Sequence, residues 1–287
     1  MKKLLIGAAL SIMLVCPAVA EEPRTAGAGQ DAVEGVDVQA ADELQALEPE
    51  AIEAGGGPVV AAETASWGYA GAGAAPYWAM LDEAYEKCGS GNMQSPINIA
   101  RFLQEDLPDI VAAYKSSPLA LVNSGHTIEL KFQPGSGFST DAVEYRLEKA
   151  QFHTPSEHYL DGAPYPMELQ LMHRTDDGHY GVISVMVKLG EHNPVVEGIW
   201  QNAPIQAGGS KVIDTVEISA GDLLPQSLDY YRYEGSLTTP PCSEGVRWHI
   251  LKEPIEISET QLKAFQALFP VNARPVQALN DRVITGD

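Results

Sequence analysis

Apolar and polar residues alternate in several short segments of the chain after residue 66. Successive side chains of a β-strand point to opposite faces, so this alternation indicates strands with one buried face. On this pattern we predict strands over residues 127–132, 142–147, 168–173, 180–187 and 247–251. Turn signals such as Pro134-Gly135 separate these segments. Helical periodicity is weak and is best over residues 259–269, so we predict one mainly antiparallel β domain with peripheral short helices.

The first 20 residues have the organisation of a secretory signal. A lysine pair at positions 2 and 3 precedes an apolar run, and residues 18–20 form a small-x-small cleavage site. We therefore predict cleavage after Ala20 and a periplasmic or secreted protein. Two alternatives stay open. One is a membrane anchor, for which the run is short; the other is a lipoprotein attached through Cys16, which follows bulky residues where small ones are expected.

Residues 21–65 are rich in Ala, Gly and Glu and have almost no aromatic side chains. Such a segment cannot bury enough apolar area to offset the entropy lost on ordering. We predict a disordered acidic linker here, followed by a single folded domain over residues 66–287. The alternative interpretation is a partner-binding or spacing arm.

The charge of the chain is strongly acidic and uneven. Lys and Arg number 18 against 39 Asp and Glu, which gives a formal net charge of -21. Residues 21–64 carry -10 of this charge, and the residues after 64 carry -13. Nucleic acids and anionic lipid surfaces are bound through clustered Lys and Arg. The composition therefore argues against both classes of partner.

Export would remove Cys16 and leave Cys88 and Cys242 as the remaining cysteines. An isolated pair in an oxidising compartment usually forms a disulfide, which here would close a loop of 154 residues. The chain-entropy model assigns such a loop up to roughly 5 kcal/mol of stabilisation. Two free thiols are the alternative.

A series of short motifs follows residue 66. The motifs are Trp67-Gly68-Tyr69, Gln94-Ser95-Pro96-Ile97-Asn98-Ile99, Asn123-Ser124-Gly125-His126, Phe152-His153-Thr154-Pro155-Ser156-Glu157-His158, Met167-Glu168-Leu169, Leu171-Met172-His173, Ser236-Leu237-Thr238-Thr239-Pro240-Pro241-Cys242, Trp248 and Asn272-Ala273-Arg274-Pro275. Each motif alone is weak, but the whole series in this order and spacing is specific, and it resembles the α-class carbonic anhydrases. The pair of cysteines also matches the disulfide of bacterial members.

The resemblance implies a twisted, mainly antiparallel ten-stranded central sheet and a conical pocket with zinc at its base. In the family, three neutral imidazoles hold the metal and a water molecule completes its coordination. Zinc lowers the pKa of that water to about 7, and the resulting hydroxide attacks CO2. A complete site would therefore be expected to hydrate CO2 reversibly to bicarbonate.

The sequence departs from the family at two of the three zinc ligands. A His-x-His pair should occupy positions 151 and 153, but the chain reads Gln151-Phe152-His153, and the third ligand position is Gln170. Glutamine is neutral and coordinates through oxygen, whereas zinc prefers nitrogen and sulfur donors. We therefore expect no zinc at physiological occupancy, with weak zinc binding as the alternative.

No other histidine has the spacing to join His153 as a ligand. His158 and His173 match family positions that pack structurally, while His179, His192 and His249 fall at turns or outer strands. The two glutamines offer both donors and acceptors. We therefore predict that Gln151, Gln170 and His153 hydrogen bond to each other, to Glu168 or to water.

Several residues match positions that support catalysis in the family. Thr238 and Glu157 match the pair that orients the zinc-bound hydroxide, Glu168 matches the carboxylate behind the third ligand, and His126 matches the proton shuttle. Two further sets match the pocket wall. They are Tyr69 and Asn123, which would organise pocket water, and Met172, Leu237, Val246 and Trp248, at or near the CO2 side.

We derive three hypotheses of function from these residues. The first is an exported carbonic-anhydrase-related protein without efficient hydratase activity, which acts as a binding or scaffold module for a small molecule, an anion or a partner's side chain. The second is a carbonic anhydrase with weakened zinc binding, acting on CO2 and bicarbonate. The third makes the acidic arm the functional element, bound to a protein partner. A homodimer is possible in each case, and no membrane span is expected in the mature chain.

Overall fold

The computed structural model describes residues 66–287. The predicted signal peptide, 1–20, and the predicted linker, 21–65, lie outside the described residues. Within residues 66–287 no helix has both the length and the apolar character that crossing a membrane requires.

Short strands and a few short helices follow one another along the described chain. The strands are β1 (Asn98–Ile99), β2 (Leu103–Gln104), β3 (Val111–Ala113), β4 (Ser117–Asn123), β5 (Ile128–Lys131), β6 (Gly137–Thr140), β7 (Val143–His153), β8 (Tyr159–Leu160), β9 (Ala163–Pro164), β10 (Met167–Arg174), β11 (Tyr180–Leu189), β12 (Ser210–Ile218), β13 (Tyr230–Ser236), β14 (Glu244–Leu251), β15 (Ile255–Ile257) and β16 (Thr285–Gly286). The α-helices are α1 (Trp78–Leu81), α2 (Lys87–Ser90), α3 (Pro194–Asn202) and α4 (Glu259–Gln266). Single 3₁₀ turns lie at Gly71–Gly73, Ala75–Tyr77, Glu83–Tyr85 and Ala220–Leu223.

One large sheet organises the domain and confirms the predicted fold class. Its main path is β12-β4-β5-β7-β10-β11-β14-β13-β16-β2, with β3, β6 and β15 attached beside it. Most neighbouring strands are antiparallel, whereas β11 runs parallel to β14 and β15. A second, three-stranded sheet of β1, β8 and β9 is separate from it.

The strands predicted from alternation are all present, although their ends differ by a few residues. The segment predicted over residues 142–147 extends further, because β7 continues through the apolar and polar residues up to His153. The predicted helix over residues 259–269 ends at Gln266, and Ser258 caps its start by accepting from the backbone N–H of Gln261. Helix α3 was missed, although Asn193 followed by Pro194 is a helix start signal.

Both faces of the central sheet are buried. On β11, Val182 and Met186 belong to one apolar cluster, whereas Ile183 and Val185 belong to the other. Because adjacent side chains of a strand point to opposite faces, the two clusters cover opposite sides of the sheet. Central strands are therefore sandwiched, and any polar side chain on them needs an internal hydrogen-bond partner.

A disulfide joins Cys88 to Cys242, which confirms the predicted bridge. It closes a separation of 154 residues and ties α2 to the segment that follows Thr238. Near it the buried Arg274 guanidinium donates to the carbonyl oxygens of Cys88 and Ser95 and to Gln94 Oε1. The N-terminal helices and the C-terminal segment are thereby held to the edge of the candidate site.

His249 corrects one expectation from the sequence. It was placed at a turn or outer strand, but it lies on β14, between β11 and β13, and is fully buried. Its Nδ1 lies 3.4 Å from the Val182 carbonyl oxygen, and its Nε2 has no partner among the described residues. The ring of Phe138 lies between His249 and the buried His173.

These two buried histidines predict a loss of stability in acid. Burial lowers the pKa of His173 and of His249 to about 3, and the charges of Arg247 and Arg232 add to the effect at His249. The unfolded chain therefore binds more protons than the folded one below the ordinary histidine pKa of about 6.5. Above pH ~6.5 the two neutral rings cost the fold no stability. As the pH falls from about 6.5 towards 3, the free energy of unfolding decreases by about 1.4 kcal/mol per pH unit for each histidine.

We expect His249→Phe to reduce this acid sensitivity, because phenylalanine fits an aromatic environment and does not titrate. The measurement is the free energy of unfolding in urea at pH 7.5 and 4.5. The difference between the two pH values should be smaller in the variant by about 2–3 kcal/mol. His179→Gln, at an exposed turn, is the control and should leave the difference unchanged. Equal pH dependence of His249→Phe and the unmodified protein would contradict the prediction.

Candidate functional site

The two glutamines and His153 lie together on two neighbouring central strands. Gln151 and His153 are two residues apart on β7, so their side chains share a face, and the same holds for Glu168 and Gln170 on β10. The antiparallel register places Gln170 opposite Gln151 and Glu168 opposite His153. With Glu157, which is also fully buried, these residues form what we call the glutamine cluster: Gln151, His153, Glu157, Glu168 and Gln170.

Gln170 links the two carboxylates of the cluster. Its Nε2 donates to Glu157 Oε2 at 2.8 Å and to Glu168 Oε1 at 3.0 Å. Ionised carboxylates only accept hydrogen bonds. The amide nitrogen of Gln170 must therefore face them, and its carbonyl oxygen is left to accept from elsewhere.

Gln151 supplies the donor that Gln170 needs. The Nε2 atom of Gln151 lies 3.1 Å from Gln170 Oε1 and 3.1 Å from His153 Nε2. One of its protons goes to the Gln170 carbonyl, so the other goes to the histidine ring. His153 Nε2 is then an acceptor, and its Nδ1 donates to the Asn272 carbonyl oxygen at 2.7 Å. The predicted hydrogen bonds among Gln151, Gln170, His153 and Glu168 are thus present.

Glu168 is the most heavily hydrogen-bonded carboxylate of the cluster. Its Oε1 accepts from Gln170, from His158 Nδ1 and from Ser184 Oγ, and its Oε2 accepts from the backbone N–H groups of Glu157 and His158. Burial alone would raise the pKa of Glu168, but the charge and hydrogen bonds of His158 outweigh it and lower the pKa to about 2. Glu168 is therefore a carboxylate at neutral pH.

Asn272 is a positioning residue that the sequence analysis did not single out. Its backbone carbonyl accepts from His153, and its side chain bonds the backbone of two segments: Oδ1 accepts from Thr154 N, and Nδ2 donates to the carbonyls of Phe152 and His126. It lies in the motif that begins at position 272, so the signal was present in the sequence. The contacts of Asn272 could be found only in the folded structure.

His126 and the aromatic residues near the N-terminus form a wall beside the cluster. The His126 ring stacks on Trp67 with centroids 3.6 Å apart, and Tyr69 lies edge-on to both Trp67 and Trp78. Burial lowers the pKa of His126, so its imidazole is neutral at pH 7. The Tyr69 hydroxyl is buried without a partner among the described residues, and burial together with the charge of Glu157 raises its pKa.

Comparisons with known proteins identify the family of the chain. The family described as eukaryotic-type carbonic anhydrase matches residues 74–286. The chain belongs to the α-carbonic anhydrase family. Carbonic anhydrases of Nostoc sp. and Pectobacterium carotovorum are each 38% identical to it over 228 and 226 residues, which is 78% of this chain and 86% and 92% of theirs.

Solved structures show the same fold. The α-carbonic anhydrase from Thermovibrio ammonificans in complex with sulfanilamide has a TM-score of 0.75 at 39% identity, with 77% of this chain and 99% of that one covered. Dioscorin complexed with ascorbate has a TM-score of 0.72 at 27% identity, with 77% and 98% covered. The scaffold is therefore shared with carbonic anhydrases and with a protein of another name.

Glu157 has other partners than the carbonic anhydrase pattern predicts. We expected Thr238 to bond to this carboxylate. In the described residues its Oε2 accepts from Gln170 and its Oε1 from the backbone N–H of Arg274, at 2.8 and 2.9 Å, and no hydrogen bond joins it to Thr238. The side-chain donor to Glu157 is therefore the amide of Gln170.

Asn123, predicted to organise pocket water, bonds the backbone of neighbouring loops. Its Nδ2 donates to the carbonyls of Pro204 and Ile205, and its Oδ1 accepts from Gly125 N. Its amide therefore holds two loops together. The four apolar residues predicted for the CO2 side do lie together. Met172, Val246 and Trp248 share one buried cluster, and Leu237 packs against it.

The residues at the three ligand positions do not match a carbonic anhydrase zinc site. A zinc ligand must direct a lone pair at the metal, but the lone pair of His153 Nε2 accepts from Gln151, and the carbonyl of Gln170 does the same. Among residues 66–287 no three His, Cys, Asp or Glu side chains are grouped so that they could hold a metal ion. The donor set therefore does not fit zinc as the side chains are arranged.

Proposed function

We propose that this protein is an exported α-carbonic-anhydrase-like binding module without efficient CO2 hydratase activity. The observation that carries the proposal is the position of Gln151 Nε2, which lies 3.1 Å from both other ligand-position acceptors. An amide N–H2 group thus connects the two acceptors, as a metal ion connects the ligands of a zinc site. The N–H donors of both amides are thus satisfied without a cation.

Binding zinc here would require the cluster to rearrange. His153 would have to give up its hydrogen bond from Gln151, and each glutamine would have to turn a neutral carbonyl oxygen to the metal. Turning Gln170 would also remove the donor that lies between Glu157 and Glu168. Loss of a single supporting partner around a zinc site typically costs 10–100-fold in affinity, and the loss of two imidazole ligands should cost more.

The partners of Glu157 support the same proposal. In the family this carboxylate orients the threonine hydroxyl that aligns the attacking hydroxide. Here the donors to Glu157 are Gln170 and the backbone N–H of Arg274, and no hydrogen bond joins Glu157 to Thr238 among the described residues. The catalytic geometry beyond the metal is therefore altered as well.

The remaining parts of the proposal concern ligand and location. A protein of this fold, dioscorin, has been solved with ascorbate, so a domain of this shape is compatible with a small polar ligand. The proposed export rests on the signal-like residues 1–20, and the disulfide between Cys88 and Cys242 suits an oxidising compartment. A protein partner for the acidic residues 21–65 remains a prediction of the sequence alone.

A second candidate function is carbonic anhydrase activity with weakened zinc binding. It is favoured by the names of the relatives and by His153, whose ring is held through Asn272 with Nε2 inside the cluster. The two candidates differ in metal content and in hydratase activity.

The test is the zinc content of the purified protein after incubation with zinc and dialysis, together with stopped-flow CO2 hydration. We expect substoichiometric zinc and hydration at the uncatalysed rate. The relative from Pectobacterium carotovorum that is named carbonic anhydrase serves as the comparison protein. Stoichiometric zinc with hydration that a chelator abolishes would overturn the proposal in favour of the second candidate.

A further inference from the structure

The hydrogen bonds of the glutamine cluster all run in one direction. Glu157 and Glu168 only accept, which turns the Gln170 amide nitrogen towards them. The Gln170 carbonyl then accepts from Gln151 Nε2, and the second proton of that nitrogen goes to His153. Every donor of the two amides is used inside the cluster. The carbonyl oxygen of Gln151 is the end of the chain of hydrogen bonds.

Gln151 Oε1 is the unpaired atom of the two amides. It has no hydrogen-bond partner among the described residues, and it is not one of the five side-chain atoms there that are both buried and unpartnered. Gln151 is also the most exposed of the three ligand-position residues, at 5% against 1% for His153 and 1% for Gln170. The atom of the cluster that is left for a ligand is therefore Gln151 Oε1, a hydrogen-bond acceptor.

Two buried carboxylates, Glu157 and Glu168, lie behind this acceptor. Two basic side chains are buried with them: His158, whose Nδ1 lies 2.9 Å from Glu168 Oε1, and Arg274, whose backbone N–H bonds Glu157 while its guanidinium is directed to Cys88, Gln94 and Ser95. The residues after 64, with these side chains included, carry a net charge of -13. A buried negative charge disfavours an anion and favours a cation at the same place.

The polarity of the site is thus the reverse of a zinc site. Zinc is a Lewis acid that binds the lone pair of a hydroxide or another anion. The Gln151 carbonyl offers a lone pair and requires a donor. His126, on the neighbouring wall, adds no positive charge while its imidazole is neutral.

We propose that Gln151 Oε1 is the acceptor for a primary ammonium group and that the site discriminates against anions. The inference rests on the proposed function, because it needs the metal-free cluster. The sequence left the ligand as any small molecule or anion. The inference restricts it to a cation that carries N–H donors. The group can belong to a free small amine or to a lysine side chain of a peptide.

The experiment is an NMR titration of the full chain with two probes of equal size and opposite charge, methylammonium and acetate. The side-chain amide resonances of Gln151 and Gln170 report on binding, and that of Gln170 remains as the readout in a variant that lacks the Gln151 amide. We expect methylammonium to shift both resonances and to bind at least about tenfold more tightly than acetate. A third titration, with the peptide acetyl-Gly-Lys-Gly-amide, distinguishes a free amine from a lysine side chain by which of the two binds more tightly.

Two variants locate the effect. Gln151→Met removes the carbonyl at nearly the same volume and should weaken methylammonium binding by about tenfold or more. Gln201→Met changes an exposed glutamine on α3 and should leave binding unchanged. If Gln151→Met does not fold, the preference of the unmodified protein for methylammonium over acetate still decides the question.

The outcomes separate this inference from the proposed function. Zinc content is measured on the NMR sample itself. Acetate binding as tightly as methylammonium, or no shift of the Gln151 resonance with methylammonium, in a zinc-free sample would overturn the ammonium assignment alone. A sample that holds stoichiometric zinc and hydrates CO2 would overturn the proposed function, and the ammonium site with it.

Discussion

Changing Gln151 and Gln170 together to histidine is expected to give the protein a stoichiometric zinc site. His153 is already held by Asn272 with Nε2 in the cluster, and the register places positions 151 and 170 directly opposite each other. Two added imidazoles would complete three nitrogen donors, the ligand set that catalytic zinc sites use. We expect zinc affinity to rise by well over 100-fold, since each missing ligand or partner costs at least a factor of 10–100.

The double substitution also changes the surroundings of the metal position. Without the amide of Gln170, Glu157 Oε2 loses the donor that occupies it and becomes available to the Thr238 hydroxyl. Glu168 remains behind position 170 as an acceptor. We therefore expect CO2 hydration above the uncatalysed rate in the zinc-loaded variant.

Zinc is measured by isothermal titration calorimetry and by metal analysis, and activity by stopped-flow hydration. The control is Gln201→His with Gln206→His, which adds two histidines at exposed positions and should gain neither zinc affinity nor activity. A double variant of Gln151 and Gln170 that folds but binds no more zinc than the control would show that the backbone around the cluster no longer fits the metal. If the double variant binds zinc but does not hydrate CO2, then residues other than the three ligands must also have lost the geometry that catalysis needs.

Replacing Glu168 by glutamine is expected to destabilise the domain strongly. Five donors converge on this carboxylate, from Gln170, Ser184, Glu157 and twice from His158. An amide has one oxygen only, so the N–H2 group would face donors and leave them unpaired in the core. Removal of one partner of a buried charge pair costs about 3–5 kcal/mol.

The measurement is the free energy of unfolding in urea at pH 7.5, with the thermal midpoint as a second readout. At roughly 2–4 °C per kcal/mol for a domain of this size, the midpoint should fall by about 10 °C. The matched control is Glu259→Gln, which removes an exposed carboxylate paired with Lys263 on α4. That pair should be worth less than about 0.5 kcal/mol. A Glu168→Gln variant as stable as the Glu259→Gln variant would show that the network does not stabilise the fold.

Much of the fold followed from the sequence for a simple reason. Alternation of apolar and polar residues is a local property, and it located β5, β7, β10, β11 and β14. The prediction for His249 on the internal strand β14 was nevertheless wrong, because histidine is a polar residue and was expected at an exposed position. Its true environment, packed against Phe138 and bonded to Val182, is made by residues distant in sequence.

The sequence predicted which residues form the candidate site, but not all of the hydrogen bonds between them. The motifs identified which residues stand at the ligand positions, and the hydrogen bonds among them were predicted from the capacity of glutamine to donate and accept. We did not predict that Gln170, and not Thr238, would be the side chain that bonds Glu157. It depends on the distance between two strands and the loop after β7, which a motif does not encode.

By itself the sequence determined that two of the three imidazoles of a carbonic anhydrase are missing, because the identity of a side chain is fixed by the chain. Only the tertiary structure decided which way the two replacing amides point. Their orientation is set by Glu157 and Glu168, which accept and never donate, and by Asn272, which fixes the His153 ring from the far end of the chain. These groups meet only in the fold. The direction of the hydrogen bonds, and the acceptor that Gln151 presents to a ligand, are therefore properties of the folded domain.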